Sequence, residues 1–245
     1  MQIQVCPWEI ENIGKRTVQL NYTKDDIYNQ EEVCKAVKGY QYLVAKVPAG
    51  NISCLLGLQG DGFKLIETQI TYSKRIKDFD FNDRLLRMFK GKVSFKQAKN
   101  TEQLISILER MTPNMFSTDR IHLDPTFGPE VGLHRYRNWM TNEFKQGTIL
   151  YEFIFEGKPV GFSTSKINGT INHVPLGGIY EEYQNMGLGI IAASSTVLFP
   201  TEMGYKDVKF SRFAVSSNNM PMIRCYNYFN YRVDELEYVL VKHKD

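Results

Sequence analysis

The stretch from Gln184 to Gly189 has the residue types and spacing of an anion-binding turn. It reads Gln-x-x-Gly-x-Gly and stands between an apolar, strand-like segment and Ile190-Ile191-Ala192-Ala193, which favours a helix. Backbone N–H groups at a helix start lack partners and carry partial positive charge, so such a turn can hold a pyrophosphate. Glycine at 187 and 189 leaves room for phosphates and allows unusual backbone angles. The residues that would form the site are Gln184, Asn185, Met186, Gly187, Leu188, Gly189 and Ile190.

The elements that would position this turn are predicted from hydrophobic spacing and turn residues. Three strands joined by tight turns precede it, and Asn168-Gly169 is a strong hairpin signal between the second and third. The predicted strands before the turn lie at 149–155, 160–167 and 170–180. From the glycine turn onward, the predicted elements are a helix from 187 to about 200, a strand at 206–214, a helix at 219–229 and a strand or hairpin at 231–242.

The first ninety residues are predicted to form a small α/β unit of the order β-α-β-α-β. Asn29, followed by Glu32 three positions on, has the pattern of a capping box at a helix start. The charged stretch 74–91 separates this unit from the rest, so we expect two domains, 1–90 and 91–245. The predicted strands are 16–20, 42–47 and 63–72, and the second domain begins with a strand at 92–99, a helix at 101–111, a polar loop at 118–124 and a helix at 129–146.

Composition excludes several classes of function. Apolar residues make up 42% and charged residues 23% of the 245 residues, which is ordinary for a soluble globular protein. The net charge of +3 is small and scattered, so we expect no nucleic-acid partner. The four cysteines lie far apart without a C-x-x-C pair, which argues against metal and disulfides and fits a reducing cytoplasm. No signal peptide or membrane span is predicted, and the oligomeric state stays open, a homodimer included.

Two motifs resemble those of the GCN5-related N-acetyltransferases. The first is the Gln184–Gly189 turn. The second begins at Asn219, where the family pattern is Asn-x-x-Ala-x-x-Leu-Tyr-x-x-x-Gly-Phe. Its spacing is kept while several residue types differ. The matching positions are Asn219, Met222, Cys225, Tyr226, Asn230 and Tyr231. The resemblance implies that family's α/β (α+β) fold, with a mixed, mainly antiparallel sheet, here preceded by the small N-terminal α/β domain.

The resemblance also implies roles for individual residues. Backbone N–H groups near Ile179 and Tyr180 would hold the pantetheine arm and the carbonyl oxygen of acetyl-coenzyme A, and the glycine turn would hold its pyrophosphate. Tyr226 would protonate the departing thiolate, because a phenol is a proton donor at neutral pH. Asn219 would contact the pantetheine or the thioester. Each role has a structural alternative, since Tyr226 could be a packed aromatic residue and Asn219 a helix cap.

A narrower resemblance covers nearly the whole chain and concerns the acceptor. The Trp8 region, the strand Gly62–Thr68 and the loop Asp119-Arg120-x-His122-x-Asp124 are similar to the dTDP-fucosamine acetyltransferase group. Those enzymes N-acetylate the 4-amino group of a nucleotide-linked 6-deoxy sugar, so the acceptor would be a small nucleotide-linked amino sugar. The charged loop would recognise sugar or phosphate, or would simply be solvated.

Other hypotheses remain open at this stage. The acceptor could be another small or protein amine, such as an aminoglycoside, a polyamine or an amino acid. The protein could also be a non-catalytic acyl-coenzyme A sensor. No general base is identified, and the conceivable candidates are His122, Glu152, His173 and Glu182, beside direct proton loss through water.

Overall fold

One mixed sheet of eleven strands runs through the protein, whose computed structural model describes residues 1–244. The strands are β1 (Gln2–Cys6), β2 (Thr17–Asn21), β3 (Tyr42–Pro48), β4 (Lys64–Arg75), β5 (Val93–Gln97), β6 (Ile149–Phe155), β7 (Lys158–Asn168), β8 (Ile171–His173), β9 (Gly177–Ile179), β10 (Phe210–Ser216) and β11 (Arg232–His243). Their order is β1-β2-β3-β11-β4-β10-β8-β7-β6-β5, with β9 paired to β7. Most neighbours are antiparallel, while β2–β3 and β8–β10 are parallel.

The helices lie on both faces of this sheet. They are α1 (Glu9–Ile13), α2 (Gln30–Ala36), α3 (Ile52–Gly60), α4 (Arg84–Phe89), α5 (Thr101–Glu109), α6 (Arg120–Leu123), α7 (Pro129–Lys145), α8 (Gly189–Glu202) and α9 (Met220–Tyr228). Several begin at a short polar residue whose side chain accepts from backbone N–H groups of the first turn, as Asn29 does from Glu31 and Glu32. Within the described part of the chain, no helix is long and apolar enough to cross a membrane.

The two faces of the sheet have separate cores. Leu150 of β6 packs with α5 and α7 on the face that we call the front. Its neighbour Tyr151 packs with α8 on the opposite face, the back. This division follows from the alternation of side chains along a strand. Helix α9 also lies on the back, where Tyr226 packs against Phe213 and Tyr72.

The N-terminal part and the C-terminal part share this sheet. Strand β4 lies between β10 and β11, and β3 pairs with β11. The sheet therefore continues across residue 90, and β4 borders the strand that leads to α9. The division into domains 1–90 and 91–245 stays a prediction about folding units.

Most predicted elements are present, with the following differences. The predicted strand 170–180 is divided into β8 and β9, because the chain leaves β10 after Val174. The predicted polar loop 118–124 contains helix α6, whose first turn Asp119 caps by accepting from the His122 N–H. The charged stretch 74–91 contains α4, and β1 and α1 precede the first predicted strand.

Candidate functional site

The parallel strands β8 and β10 separate at their carboxyl ends and leave an opening in the sheet. They pair from Ile171 with Phe210 to His173 with Arg212, and the Val174 N–H still donates to the Arg212 carbonyl. Beyond this point the first chain follows β7 as β9, whereas β10 stays with β4. Clefts at such divergence points are common ligand sites in α/β proteins. We call this opening the splay.

The edge of β9 that faces the splay carries a free backbone N–H at Ile179, whose C=O accepts from Gln184 Nε2 at 3.5 Å. On the other edge, the Thr164 N–H donates to Leu176 and the Tyr180 N–H to Val160, each at 2.9 Å. Because bonded and non-bonded pairs alternate in an antiparallel ladder, Ile179 turns its N–H and C=O away from β7. The Tyr180 N–H is committed to the sheet, so only Ile179 of the two predicted N–H donors faces the splay.

The Gln184–Gly189 turn follows β9 through a single 3-10 turn, Glu181–Tyr183. Asn185 and Gly187 have positive φ angles of 63° and 76°, which reverse the chain so that α8 begins at Gly189. Within residues 1–244, the N–H groups from Asn185 to Ile190 have no acceptor outside the helix, and no side chain caps α8. An anion placed there would satisfy these donors.

Helices α8 and α9 start at the same end of the splay and pack closely. A Cβ atom at Gly189 would lie 3.4 Å from Cys225 Sγ and 3.7 Å from Met222 Sδ. Glycine at 189 therefore permits the close approach of α9, while glycine at 187, with nothing within 4 Å of a Cβ, is required by its backbone angle. The two predicted motifs meet at this contact.

Tyr226 lies on the inner face of α9, which packs against β4, β10 and α8. Its ring packs against Phe213 at 4.4 Å, Tyr72 at 5.3 Å and Tyr231 at 5.4 Å between centroids. The packed-aromatic interpretation is thus correct for the ring. Its hydroxyl makes no hydrogen bond within residues 1–244 and is not among the fully enclosed unpaired polar atoms. Burial, with smaller contributions from Tyr231 and Cys225, raises the pKa of Tyr226, so the phenol stays protonated.

Asn219 is the N-cap of α9. Its Oδ1 accepts from the Met222 N–H at 3.3 Å, as the structural alternative predicted. The amide Nδ2 has no acceptor within the described residues, so this half of the side chain can still donate to a ligand. At the other end of α9, Asn230 has a positive φ of 53°, which explains how asparagine replaces the glycine of the family pattern.

The predicted polar loop is part of a buried charge network rather than an open binding surface. Asp119 accepts from the Tyr136 hydroxyl at 2.7 Å, and Arg120 donates to Glu9 at 2.9 Å. His243 contacts Asp124 at 2.7 Å. These contacts join α6 to α1, α7 and β11. The loop side chains are largely engaged with protein groups, and the solvated interpretation is wrong.

Three of the four conceivable bases have protein partners. Both ring nitrogens of His122 are engaged, with Asp119 and with the Pro113 carbonyl. Glu152 accepts from the Tyr180 hydroxyl at 3.0 Å, and Glu182 pairs with Arg110 at 2.7 Å. His173 lies where β8 and β10 are still paired, at the closed end of the splay. Burial, followed by Arg212 and Lys166, lowers its pKa.

Sequence reasoning missed a polar group on the front face beside the splay. Glu67 and Gln69 of β4 face the front and are directly paired with β11 residues, and Gln69 is paired with Ser216 of β10. The available signal was the alternation of Glu67, Gln69 and Thr71 with Ile66, Thr68 and Ile70. It showed a polar face on this strand but not which strands would lie beside it.

A cavity of about 430 Å³ lies elsewhere, between α4, β5 and α8. Its lining includes Phe81, Leu86, Phe89, Phe95 and Leu198, and no residue of the glycine turn or of α9. Among residues 1–244, no group of three or more His, Cys, Asp or Glu side chains is arranged to hold a metal ion.

Comparison with known proteins identifies the fold. No model of a protein family matches the sequence, and no curated protein matches it significantly. Among solved structures, the chain is similar to a conserved protein of unknown function from Staphylococcus epidermidis, with 12% identity and a TM-score of 0.61 over 94% of this chain and 84% of that one.

Two further similar structures are described as GCN5-related N-acetyltransferases. The one from Kribbella flavida has 12% identity and a TM-score of 0.57, over 94% of this chain and 82% of that one. The one from Sphaerobacter thermophilus has 12% identity and a TM-score of 0.56, over 87% of this chain but only 64% of its own length. At this level of identity the similarity concerns the fold. The protein therefore has the fold of the GCN5-related N-acetyltransferases.

Proposed function

We propose that the protein is an acetyl-coenzyme A-dependent N-acetyltransferase. The observation that supports the proposal is that the Gln184–Gly189 turn, whose N–H groups are unpaired, contacts α9 at Gly189, and that α9 also carries Tyr226. The turn fits a pyrophosphate because its donors have no acceptors, and the bare edge of β9 fits an extended pantetheine arm. Acetyl-coenzyme A would supply the activated acetyl group.

The chain's own residues have distinct tasks in this proposal. The turn from Gln184 to Ile190 binds the pyrophosphate, and the Ile179 N–H binds the arm or the carbonyl oxygen. Asn219 donates through Nδ2 to the same arm. Tyr226 supplies a proton to the departing sulfur, for which its raised pKa keeps it in the required protonated form.

For the acceptor, we propose a small amine, and specifically a nucleotide-linked amino sugar of the dTDP-4-amino-6-deoxy type. The support is the resemblance of three short stretches of the sequence, at Trp8, Gly62–Thr68 and Asp119–Asp124. The engagement of Asp119 and Arg120 in protein contacts weakens one part of that support. An assay of thiol release with a panel of dTDP-4-amino sugars tests this acceptor, and no release across the panel would refute it.

The coenzyme part of the proposal is tested separately. Acetyl-coenzyme A is expected to raise the midpoint of thermal unfolding, because a ligand that binds only the folded state stabilises it. A shift without turnover on any amine would instead indicate an acyl-coenzyme A sensor. No shift at millimolar coenzyme would refute the proposed function itself.

A further inference from the structure

Three neighbouring strands place a carboxylate and an ammonium group on the front face beside the splay. Val239 of β11 pairs with Glu67 of β4 on one side and with Lys46 of β3 on the other. Directly paired residues share a face, and Val239 packs with Ile121 of α6 on the front. The side chains of Glu67 and Lys46 therefore both point to the front, about 10 Å apart at their Cα atoms.

Glu67 is buried and Lys46 is half-buried, and neither has an ionic partner among the described residues. Glu67 is only 8% exposed, and neither Glu67 nor Lys46 forms an ion pair within residues 1–244. Lys46 Nζ donates to the neutral Gln69 side chain at 2.6 Å. Burying unpaired charges costs free energy, and proteins tolerate such a cost mainly at functional sites.

Glu67 lies at the height of the splay where the coenzyme arm is proposed to pass. Between His173 and Ile179 the chain has one residue more than β7 beside it, since His173 pairs with Lys166 and Ile179 with Gly161. Continuing the pairing of His173 with Arg212 therefore brings Ile179 level with Ser217, and continuing the pairing of Gln69 with Ser216 brings Glu67 level with Asn218. The carboxylate and the free Ile179 N–H thus lie within about one residue of the same level, with the end of β10 between them.

The electrostatic surroundings favour a carboxylate that can take up a proton. Burial raises the pKa of Glu67, against the lowering influence of the Ser216 hydroxyl, Arg120 and Lys46, while Asp119 raises it. Burial also lowers the pKa of Lys46. The charged groups that act on this pair from the elements packed against it are Asp119 and Arg120 beside α6, Arg135 of α7 and Glu237 of β11.

We propose that Glu67 binds the amine of the acceptor and takes its proton, and that Lys46 binds an anionic group of the same acceptor. This assignment rests on the proposed function. Lys46 Nζ reaches the side chain of Gln69 on β4, so it lies on the same side of the front face as Glu67 and offers a cation to a second group of the acceptor. The acceptor class is therefore an amine that carries a carboxylate or a phosphate.

The proton inventory of the step balances. The ammonium gives one proton to Glu67, and the free amine bonds to the acetyl carbonyl carbon. The carbon–sulfur bond then breaks, and the sulfur takes the proton of Tyr226. The second proton lost by nitrogen returns to the Tyr226 phenolate, directly or through water, and Glu67 releases its proton to solvent. The sum is an amide, a free thiol and one proton.

The acceptor class is tested with acetyl-coenzyme A and matched amine pairs. The pairs are arginine and agmatine, tyrosine and tyramine, and O-phosphoethanolamine and ethanolamine, with dTDP-4-amino-4,6-dideoxygalactose as the nucleotide-sugar probe. We expect kcat/KM to be at least about tenfold higher for the anionic member of a pair, the size of one charged hydrogen bond. The Lys46→Met variant should remove this preference, whereas Lys64→Met, at an exposed position of β4, should keep it. Equal rates for both members of every pair would overturn the anion assignment.

The role of Glu67 is tested by a pH profile. Glu67→Gln should lower kcat/KM by about 100-fold or more and abolish the fall in rate at low pH. Glu67→Asp, which keeps a carboxylate, should retain part of the wild-type kcat/KM. Glu235→Gln removes an exposed front-face carboxylate and should behave like the wild type. Wild-type rates in Glu67→Gln would overturn the assignment of Glu67, and so would loss of the fall in rate at low pH in His173→Asn instead. Either result would leave the proposed function intact. Lack of acetyl-coenzyme A binding by the wild type would overturn the proposed function, and this assignment with it.

Discussion

The rings of Tyr226 and Tyr231 lie 5.4 Å apart, yet their hydroxyl groups have opposite surroundings. The Tyr231 hydroxyl donates to the Ala193 carbonyl at 2.9 Å and lies 2.7 Å from Thr196 Oγ1, both in α8. The Tyr226 hydroxyl has no partner within the described residues. One phenol ties α8 to the end of α9, and the other makes no protein hydrogen bond.

This contrast predicts different consequences for the same substitution. Tyr226→Phe removes a proton donor that makes no protein hydrogen bond. We expect kcat to fall by about 100-fold or more, with acetyl-coenzyme A affinity and thermal stability nearly unchanged. Steady-state kinetics beside calorimetric titration of the coenzyme measures both. An unchanged kcat would remove Tyr226 as the acid.

Tyr231→Phe is the matched control. It removes the hydroxyl that bonds the Ala193 carbonyl and the Thr196 hydroxyl, which keep their bond to each other, so we expect the free energy of unfolding to fall by about 1 kcal/mol. The turnover of the folded variant should be close to that of the wild type. Denaturant unfolding measures the stability, and kinetics at a temperature where both proteins are folded measures the turnover. Unchanged stability or a large loss of turnover would contradict the expectation.

Gly187 and Gly204 form a second matched pair, at the two ends of α8. Their φ angles are 76° and 79°, and neither has an atom within 4 Å of a Cβ position. Alanine at either site is expected to cost about 1 kcal/mol or more of stability, because the left-handed conformation is strained for it. Only Gly187→Ala should also weaken acetyl-coenzyme A binding, by about tenfold or more, since it reorients the N–H groups of the turn. Equal coenzyme affinities in the two variants would contradict the assigned site.

Glu67 is expected to reduce stability at neutral pH while supporting activity. Because its folded-state pKa is raised, the folded state binds more protons than the unfolded state between the ordinary Glu pKa and the raised value. This contribution makes stability fall as pH rises through that window. Glu67→Gln should therefore raise the unfolding temperature at neutral pH and flatten its pH dependence, unlike Glu235→Gln. A lower unfolding temperature would show that the carboxylate is stabilising.

The network around Glu9 is expected to serve stability. Glu9 is 1% exposed and pairs with Arg120 at 2.9 Å and Arg135 at 3.0 Å. Glu9→Gln leaves two buried guanidinium groups underpaired, so the free energy of unfolding should fall by about 3 kcal/mol. Glu11→Gln, at an exposed position of the same helix, should change little. A large loss of coenzyme affinity in folded Glu9→Gln would argue for a direct role of the network in binding.

The sequence was most informative where local chemistry fixes the backbone. The glycine turn, the Asn29 cap and the left-handed Asn230 depend on neighbouring residues, and all three are present. The pairing of β4 with β10 and β11 depends on contacts between residues more than one hundred positions apart. No local pattern encodes such a contact.

The candidate site shows the same limit. Asn219 and Tyr226 were predicted from the resemblance to the family motif, and the structure brings the helix that carries them against the turn. Glu67 was missed because its significance depends on β10 lying beside β4. The free N–H of Ile179, as opposed to that of Tyr180, depends on the register with β7. Only the paired sheet determines which backbone groups face the splay.

The central claim is tested most directly by incubating the wild-type protein with acetyl-coenzyme A and the amine panel and detecting acetylated product by mass spectrometry. The account predicts an N-acetylated amine and an equal amount of free thiol, with both reduced together in Tyr226→Phe. Coenzyme binding without any acetylated amine would contradict catalysis, and the absence of coenzyme binding would contradict the assigned site.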